Sequence, residues 1–393
     1  MSTSAAQIRA YAGPAVFSYG FRPFFLFGAL WAAIAVALWL PILGGHLSLP
    51  STLAPIDWHT HELVFGYVPA IVAGFLLTAV PNWIGRLPIV GTRLALLFFV
   101  WCAGRMTIFF SHLLGAWLAV AVDMAFLAIL GSVIAREIFA SGNTSNLKVL
   151  AGVTLLLIGN GWFHLEANEG LGSGHGIRLG VGATILLIML IGGRIIPSFT
   201  RNWLARRQPG RLPAPFGRFD AVVMIVSGTA LVGWVGAPHA TATAILALAA
   251  GLLNGARLAR WCGERTVAEP LVLILHLAYA FVPIGFFLLA LGIVRPDVVA
   301  PSGALHGWTA GAIGTMTLAV MTRASLGHTG RPLTATRQIQ FIYLAVIVSA
   351  LARISAAFDL LREPMLHLSA TAWVAAFGGF VIAFGPLLLR RRA

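Results

Sequence analysis

Twelve apolar segments, each about as long as a bilayer is thick, limit most strongly what this chain can fold into. A helix needs roughly 20 apolar residues to cross the hydrocarbon core, whereas strands in lipid would alternate polar and apolar residues. We therefore predict an all-α, polytopic membrane helix bundle of about twelve transmembrane helices. The predicted spans are about 24–43, 59–82, 91–111, 114–138, 147–167, 175–198, 218–236, 239–260, 268–291, 302–322, 337–357 and 367–389. The gaps between them are too short for another domain, so we expect a single integral membrane domain over residues 1–393.

The low content of charged residues excludes a water-soluble protein. Only 10% of the residues are charged and the mean hydropathy is +0.90, whereas soluble domains carry about 25% charged residues. A soluble enzyme and a disordered chain are both excluded. The surrounding medium of most of the chain is therefore the lipid bilayer.

The positions of the basic residues predict the orientation of the spans. With the N-terminus in the cytoplasm, 19 of the 26 Lys and Arg residues fall at the termini, in cytoplasmic connections or within two residues of the cytoplasmic end of a span, and only Arg295 and Arg362 fall in outer connections. Cytoplasmic loops of membrane proteins carry this excess of Lys and Arg. We predict that both termini are cytoplasmic. The net charge of +14 is then a topology signal, and no nucleic-acid partner is expected.

Four histidines share one predicted layer near the outer membrane surface: His59, His61, His164 and His306. By helical rise, they lie roughly 5–7 Å inside the boundary. Imidazole ligation without sulfur suits copper, iron or zinc, and His also holds haem iron. The sequence predicts a shared metal site. His59 and His61 would point some 200° apart in a regular helix but the same way in an extended segment.

Two carboxylates follow these histidines closely and are candidate catalytic residues. Glu62 and Glu166 each lie within three residues of a layer histidine. Such groups orient ligating histidines or carry protons to a reduction site. Alternatively, they form an outer acidic rim that balances the basic inner face. Asp123 and Arg105 lie within neighbouring spans, and we predict a structural ion pair between them, because an unpaired charge at that depth is costly.

Further candidates lie deeper or on the cytoplasmic side and suit a cofactor. His276, in the ninth span, is either a haem ligand or a helix–helix hydrogen-bonding residue. His328, in the connection after the tenth span, is either a ligand or part of a basic loop that also holds Arg323 and Arg331. Arg194 could bind haem propionates, since Arg matches carboxylate geometry, or anchor the span at the inner interface.

Several sequence blocks are those of a known family. They include Gly-Phe-Arg-Pro-Phe-Phe at 20–25 and Trp-His-Thr-His-Glu-Leu-Val-Phe-Gly at 58–66, and they continue at 73–83, 192–197, 275–279, 314–323 and 327–331. In these blocks the chain resembles the NnrS family of haem- and copper-containing membrane proteins. It departs from the family at Leu63, where Met is common.

The resemblance implies twelve spans, haem b and copper, a bacterial inner-membrane location and a role in the response to nitric oxide. We expect nitric oxide to be the ligand or substrate, and we expect it to be reduced or detoxified by a nitric oxide reductase-like oxidoreductase. The chain has no Cys-x-x-Cys-His motif for c-type haem, so electrons would come from quinol or a separate redox protein. A haem- and NO-binding sensor or assembly factor without turnover, and a metal transporter, stay open as alternatives.

Overall fold

The computed structural model describes residues 11–84, 88–142, 146–170, 174–207 and 209–391. Within these ranges the regular elements are all helical, which confirms the predicted all-α membrane fold. In chain order the helices are α1 Phe21–Leu43, α2 Pro55–His61, α3 Val68–Ile84, α4 Thr92–Phe109, α5 Ser111–Leu114, α6 Ala116–Ser141, α7 Leu147–Glu169, α8 His175–Leu204, α9 Arg218–Gly236, α10 Thr241–Ala259, α11 Pro270–Val294, α12 Pro301–Ala304, α13 Thr315–His328, α14 Arg337–Ala357 and α15 Arg362–Leu389.

The helices reproduce the predicted spans. Among the described residues, eleven helical segments are long and apolar enough to cross a membrane. The segment predicted at 302–322 is divided among α12, a π-helix at Gly307–Gly314 and α13. It is not among the eleven, and the twelfth span stays a prediction.

Two π-helices interrupt the spans, and each begins directly after a predicted metal-site histidine. One covers Glu62–Tyr67 and joins α2 to α3, following His61. The other covers Gly307–Gly314, following His306. A π-turn inserts an extra residue into the helical repeat, and such turns are rare and concentrated at functional sites.

By their contacts, the residues divide into two compact units. The first contains 1–183 and 377–393, and the second contains 184–376. The single domain expected over residues 1–393 stays a prediction.

In the first unit, the block at 20–25 joins the two ends of the chain. The Arg22 guanidinium donates to the carbonyl oxygens of Leu387, Leu388 and Arg390, at 3.0–3.3 Å. These carbonyls lie at the carboxyl end of α15, where backbone acceptors lack helical partners and a cation is favourable. Arg22 therefore attaches the last helix to the first unit.

In the second unit, a buried ion pair joins three helices. The Arg257 guanidinium on α10 donates to Asp220 of α9 at 2.9 Å and to the Tyr279 hydroxyl of α11 at 2.9 Å. Gly193 lies against this guanidinium, so any Cβ there would collide with it. The glycine directly before Arg194 thus has a packing reason.

Candidate metal centre

The helical conformation of α2 separates the first two predicted histidines. α2 begins with Pro55 in its first turn and stays helical to His61. The His59 ring stacks on Trp39, with ring centroids 4.3 Å apart and an interplanar angle of 15°. The His61 ring is fully buried in the first unit. Of the two conformations that the sequence allows, the structure has the one in which the rings diverge.

The buried His61 ring is oriented by its neighbour in sequence. His61 Nδ1 lies 3.0 Å from Glu62 Oε1. The Glu62 carboxylate also accepts two bonds of 2.8 Å from Arg105 Nη1 and one of 2.6 Å from Trp31 Nε1. A carboxylate on one ring nitrogen is how metal-binding histidines are commonly oriented, with the other nitrogen left for the metal. Glu62 therefore orients the His61 ring so that Nε2 is the nitrogen left for a metal ion.

His61 Nε2 faces a carboxylate held between two more helices. Asp123 Oδ2, on α6, lies 3.2 Å from His61 Nε2 and 3.1 Å from His164 Nε2, on α7. Asn160 Nδ2 donates to the same oxygen at 2.7 Å. The ligand atoms of His61, Asp123 and His164 all lie within 4.8 Å of one another, an arrangement that could hold a metal ion. We call these three residues the metal cluster.

The other oxygen of Asp123 is paired with Arg105, whose Nη2 donates to Oδ1. The predicted ion pair between these residues is confirmed. Arg105 thus bridges Asp123 and Glu62, and the side chains of all three are almost fully buried. When both imidazoles are neutral, two carboxylates against one guanidinium leave one net negative charge, and burying a charge at membrane depth is expensive. A proton on His61, which lies between Glu62 and Asp123, or a cation bound at the metal cluster would offset it.

The π-helix makes room for this bridge. Any Cβ at Gly66 would collide with the Arg105 guanidinium, so only glycine lets Arg105 reach Glu62. The Gly66 carbonyl, inside the π-helix, accepts a bond of 2.9 Å from Trp101 Nε1 on α4. The glycine that ends the block at 58–66 therefore has a role in building the site.

Glu166 does not join the metal cluster. Its carboxylate accepts bonds from the backbone N–H groups of His175 and Gly176, at 2.9 and 3.1 Å, and lies 3.1 Å from His175 Nδ1. These donors are at the amino end of α8, where a negative charge is favourable. The structure thus places Glu166 as a cap for α8.

The metal cluster unites His61 and His164 but not the whole predicted layer. His59 lies on another face of α2. His306 belongs to the second unit, where it precedes the π-helix at Gly307–Gly314. A site shared by all four histidines stays a prediction.

In the second unit, His276 is buried and both of its ring nitrogens face protein atoms. Nε2 lies 2.8 Å from Thr200 Oγ1, and the Thr200 hydroxyl donates to the Ile196 carbonyl at 2.9 Å. Because a hydroxyl has one hydrogen to donate, His276 Nε2 carries the proton in this pair. Nδ1 has no hydrogen-bond partner and packs against Gly263, where a Cβ would come within 2.6 Å of it. A role for His276 as an axial haem ligand stays a prediction.

The remaining cofactor candidates are distributed along α8, α13 and the connection that follows. Arg194 and Arg331 are exposed, and His328 is the exposed last residue of α13. The Arg323 guanidinium lies 4.1 Å from the centre of the Phe199 ring. These contacts suit a cation–π pair and inner-interface anchors, and a haem among these residues stays a prediction.

Sequence reasoning missed four residues of the site as functional residues. Asp123 and Arg105 are predicted as a structural pair, although the structure places them at the centre of the cluster. Trp31 and Asn160 carry no charge to draw attention to them. The usable signal for Asn160 is its spacing, because a residue four positions before His164 lies on the same helical face.

Comparison with known proteins agrees with this architecture. The family model described as "NnrS protein" matches residues 15–392, nearly the whole chain. Among curated proteins, none matches the chain. The match includes every residue of the metal cluster and all the helices described above. The chain therefore belongs to the NnrS family and is a multi-spanning membrane protein of the nitric oxide response.

Proposed function

We propose that this protein binds a copper ion at the metal cluster, in the bacterial inner membrane, and that it reduces nitric oxide there. The observation that carries the proposal is the convergence of two imidazoles and a carboxylate in a buried site where Glu62 already orients His61. Nitrogen and oxygen donors of this kind suit copper, iron or zinc. Family membership favours copper among the three.

The protein side chains would prepare the site in three ways. Glu62 holds the His61 ring with Nε2 toward Asp123 and His164. Arg105 neutralises part of the carboxylate charge and fixes both acids in place. Burial of all these groups excludes bulk water, which strengthens electrostatic interactions inside the site.

The reaction proposed is 2 NO + 2 e⁻ + 2 H⁺ → N₂O + H₂O. A bound copper ion would supply a position for nitric oxide and a route for electrons. Quinol or a separate redox protein would provide the electrons. A role for Glu62 and Glu166 in proton delivery is part of the proposal, although Glu62 is fully engaged with three side chains and Glu166 caps α8.

Haem b is included in the proposal only because the chain belongs to the NnrS family. His276, whose Nδ1 has no hydrogen-bond partner, stays the candidate ligand for its iron, and no step is assigned to haem. The test for haem is the absorbance spectrum of the purified protein.

The experiment is purification in detergent, followed by copper and haem quantitation and an anaerobic nitric oxide consumption assay with N₂O detection. We expect copper in the wild type and its loss in His61→Ala and His164→Ala. The exposed His46 and His367 are the matched controls, and replacing them by Ala should change neither copper content nor activity.

Two results would contradict the proposal in different ways. A wild-type protein without copper, and without affinity for added copper, would refute the metal assignment. A copper-loaded protein that binds nitric oxide but forms no N₂O when a reductant is supplied would refute the reductase and favour a sensor.

A further inference from the structure

Asn160 is buried beside the metal cluster but is not one of its three residues. It lies on α7 four residues before His164, so both side chains project from one face of the helix toward α6. Asn160 is 0% exposed. Its two polar atoms face different members of the cluster.

The amide oxygen and nitrogen of Asn160 divide between His61 and Asp123. Asn160 Oδ1 lies 3.2 Å from His61 Nε2, and Nδ2 lies 2.7 Å from Asp123 Oδ2. With Nδ2 donating to the carboxylate, the oxygen is the atom turned toward His61 Nε2. Four donor atoms then meet: two imidazole nitrogens, one carboxylate oxygen and one amide oxygen.

The spacing of these donors matches the edges of a four-coordinate site. With metal–ligand bonds of about 2.0–2.1 Å, the donors of a tetrahedral site lie about 3.3 Å apart. The separations from His61 Nε2 to Asn160 Oδ1 and to Asp123 Oδ2 are both 3.2 Å, and that from His164 Nε2 to Asp123 Oδ2 is 3.1 Å. Three of the six edges of such a site are therefore close to the tetrahedral value.

We propose that Asn160 is the fourth ligand of the metal cluster, through its amide oxygen. This inference rests on the proposed metal binding and adds a residue to it. A neutral fourth ligand adds a donor without adding a second carboxylate to the inner set, and nitric oxide would bind as an additional ligand. With neutral imidazoles, the buried site then keeps the single net negative charge that a cation offsets.

The competing role of Asn160 is a hydrogen bond that only holds Asp123, and one substitution separates the two. Asn160→Asp keeps the size and an oxygen donor but replaces the N–H donor by a second negative charge. A ligand role predicts that Asn160→Asp binds Cu(II) with altered EPR parameters, because these respond to the charge of the ligand set. It also predicts that copper raises the thermal stability of this variant more than that of the wild type. The reason is that the ion offsets the repulsion between the new carboxylate and Asp123.

The second variant, Asn160→Leu, is similar in size and removes both polar atoms. We expect its copper affinity to fall at least about tenfold, the lower end of the loss known even for groups that only support a ligand. Asn254→Asp is the matched control. Asn254 is a fully buried asparagine in a span of the second unit, bonded to Ser227 and Tyr279, and its replacement should leave the copper spectrum unchanged.

Titration of detergent-purified, metal-free protein with Cu(II), followed by EPR, decides between the ligand role and the hydrogen-bonding role of Asn160. Wild-type affinity and spectrum in Asn160→Leu, or loss of copper binding in Asn160→Asp, would overturn the ligand role. If Asn160→Leu does not accumulate, the EPR spectrum of Asn160→Asp alone decides. A wild type that binds no copper would instead refute the proposed function itself.

Discussion

Replacing Glu62 by Gln tests whether this carboxylate orients a metal ligand. Glu62 accepts bonds from Arg105, Trp31 and His61 at 2.6–3.0 Å. A glutamine has one acceptor oxygen instead of two, and its amide N–H₂ would have to face one of these donors. The variant therefore loses the charge, and at least one donor loses its partner.

The expected losses follow from this geometry. Removing one partner of a buried ion pair costs about 3–5 kcal/mol, and we expect about 3 kcal/mol here because Arg105 keeps Asp123. Loss of a carboxylate that supports a ligand weakens metal binding about 10–100-fold, which is about 1.4–2.8 kcal/mol. Copper affinity and stability should both fall.

The assay is copper titration and denaturant unfolding of the detergent-purified variants, with Glu166→Gln as the control. Glu166 is also a buried carboxylate, but it caps α8 and lies outside the metal cluster. We expect Glu166→Gln to keep wild-type copper affinity. The reasoning fails if Glu62→Gln binds copper as tightly as the wild type, or if the two variants weaken binding equally.

Three further predictions concern topology, haem and thiol access. Reporter fusions after Arg207 should be cytoplasmic and those after Asp297 periplasmic, and either one on the opposite side would contradict the twelve-span arrangement. In His276→Ala we expect the free energy of unfolding to fall by about 1 kcal/mol, because its Nε2 forms a hydrogen bond with Thr200. Loss of the haem absorbance in this variant would show that His276 is an axial ligand, and an unchanged spectrum would show that it is not. Burial raises the pKa of the Cys262 thiol. In a Cys102→Ala variant, maleimide at neutral pH should therefore label Cys262 only after denaturation. Rapid labelling of the folded protein would contradict the buried position.

The depth of polar residues was a sound guide to part of the site. A hydrocarbon environment makes a polar side chain costly unless it has a partner, so His61, His164 and the pair of Asp123 and Arg105 could be recognised within apolar segments. Hydropathy likewise predicts the spans, because each must be apolar over the thickness of the bilayer.

Orientation around the helix axis was harder to predict, because it depends on where a helix begins. Pro55 favours the first turn of a helix, and that signal could have decided that His59 and His61 diverge. The π-helix after His61 has no comparable sequence signature. Asn160 was missed because an uncharged amide in a span is ordinary, and only the positions of Asp123 and His61 give it a role.

The π-helix at Glu62–Tyr67 makes the site sensitive to the backbone hydrogen-bond pattern as well as to composition. Each α-helical residue turns the chain by about 100°, and a π-turn accommodates one residue more than the α-helical repeat. If the same residues formed a regular α-helix, everything before them, including both His61 and Glu62, would be rotated by about that angle. Asp123 and His164, on other helices, would stay where they are. A chain with the same hydropathy and the same spans but without the π-turn would therefore present a different face of α2 to Asp123 and His164.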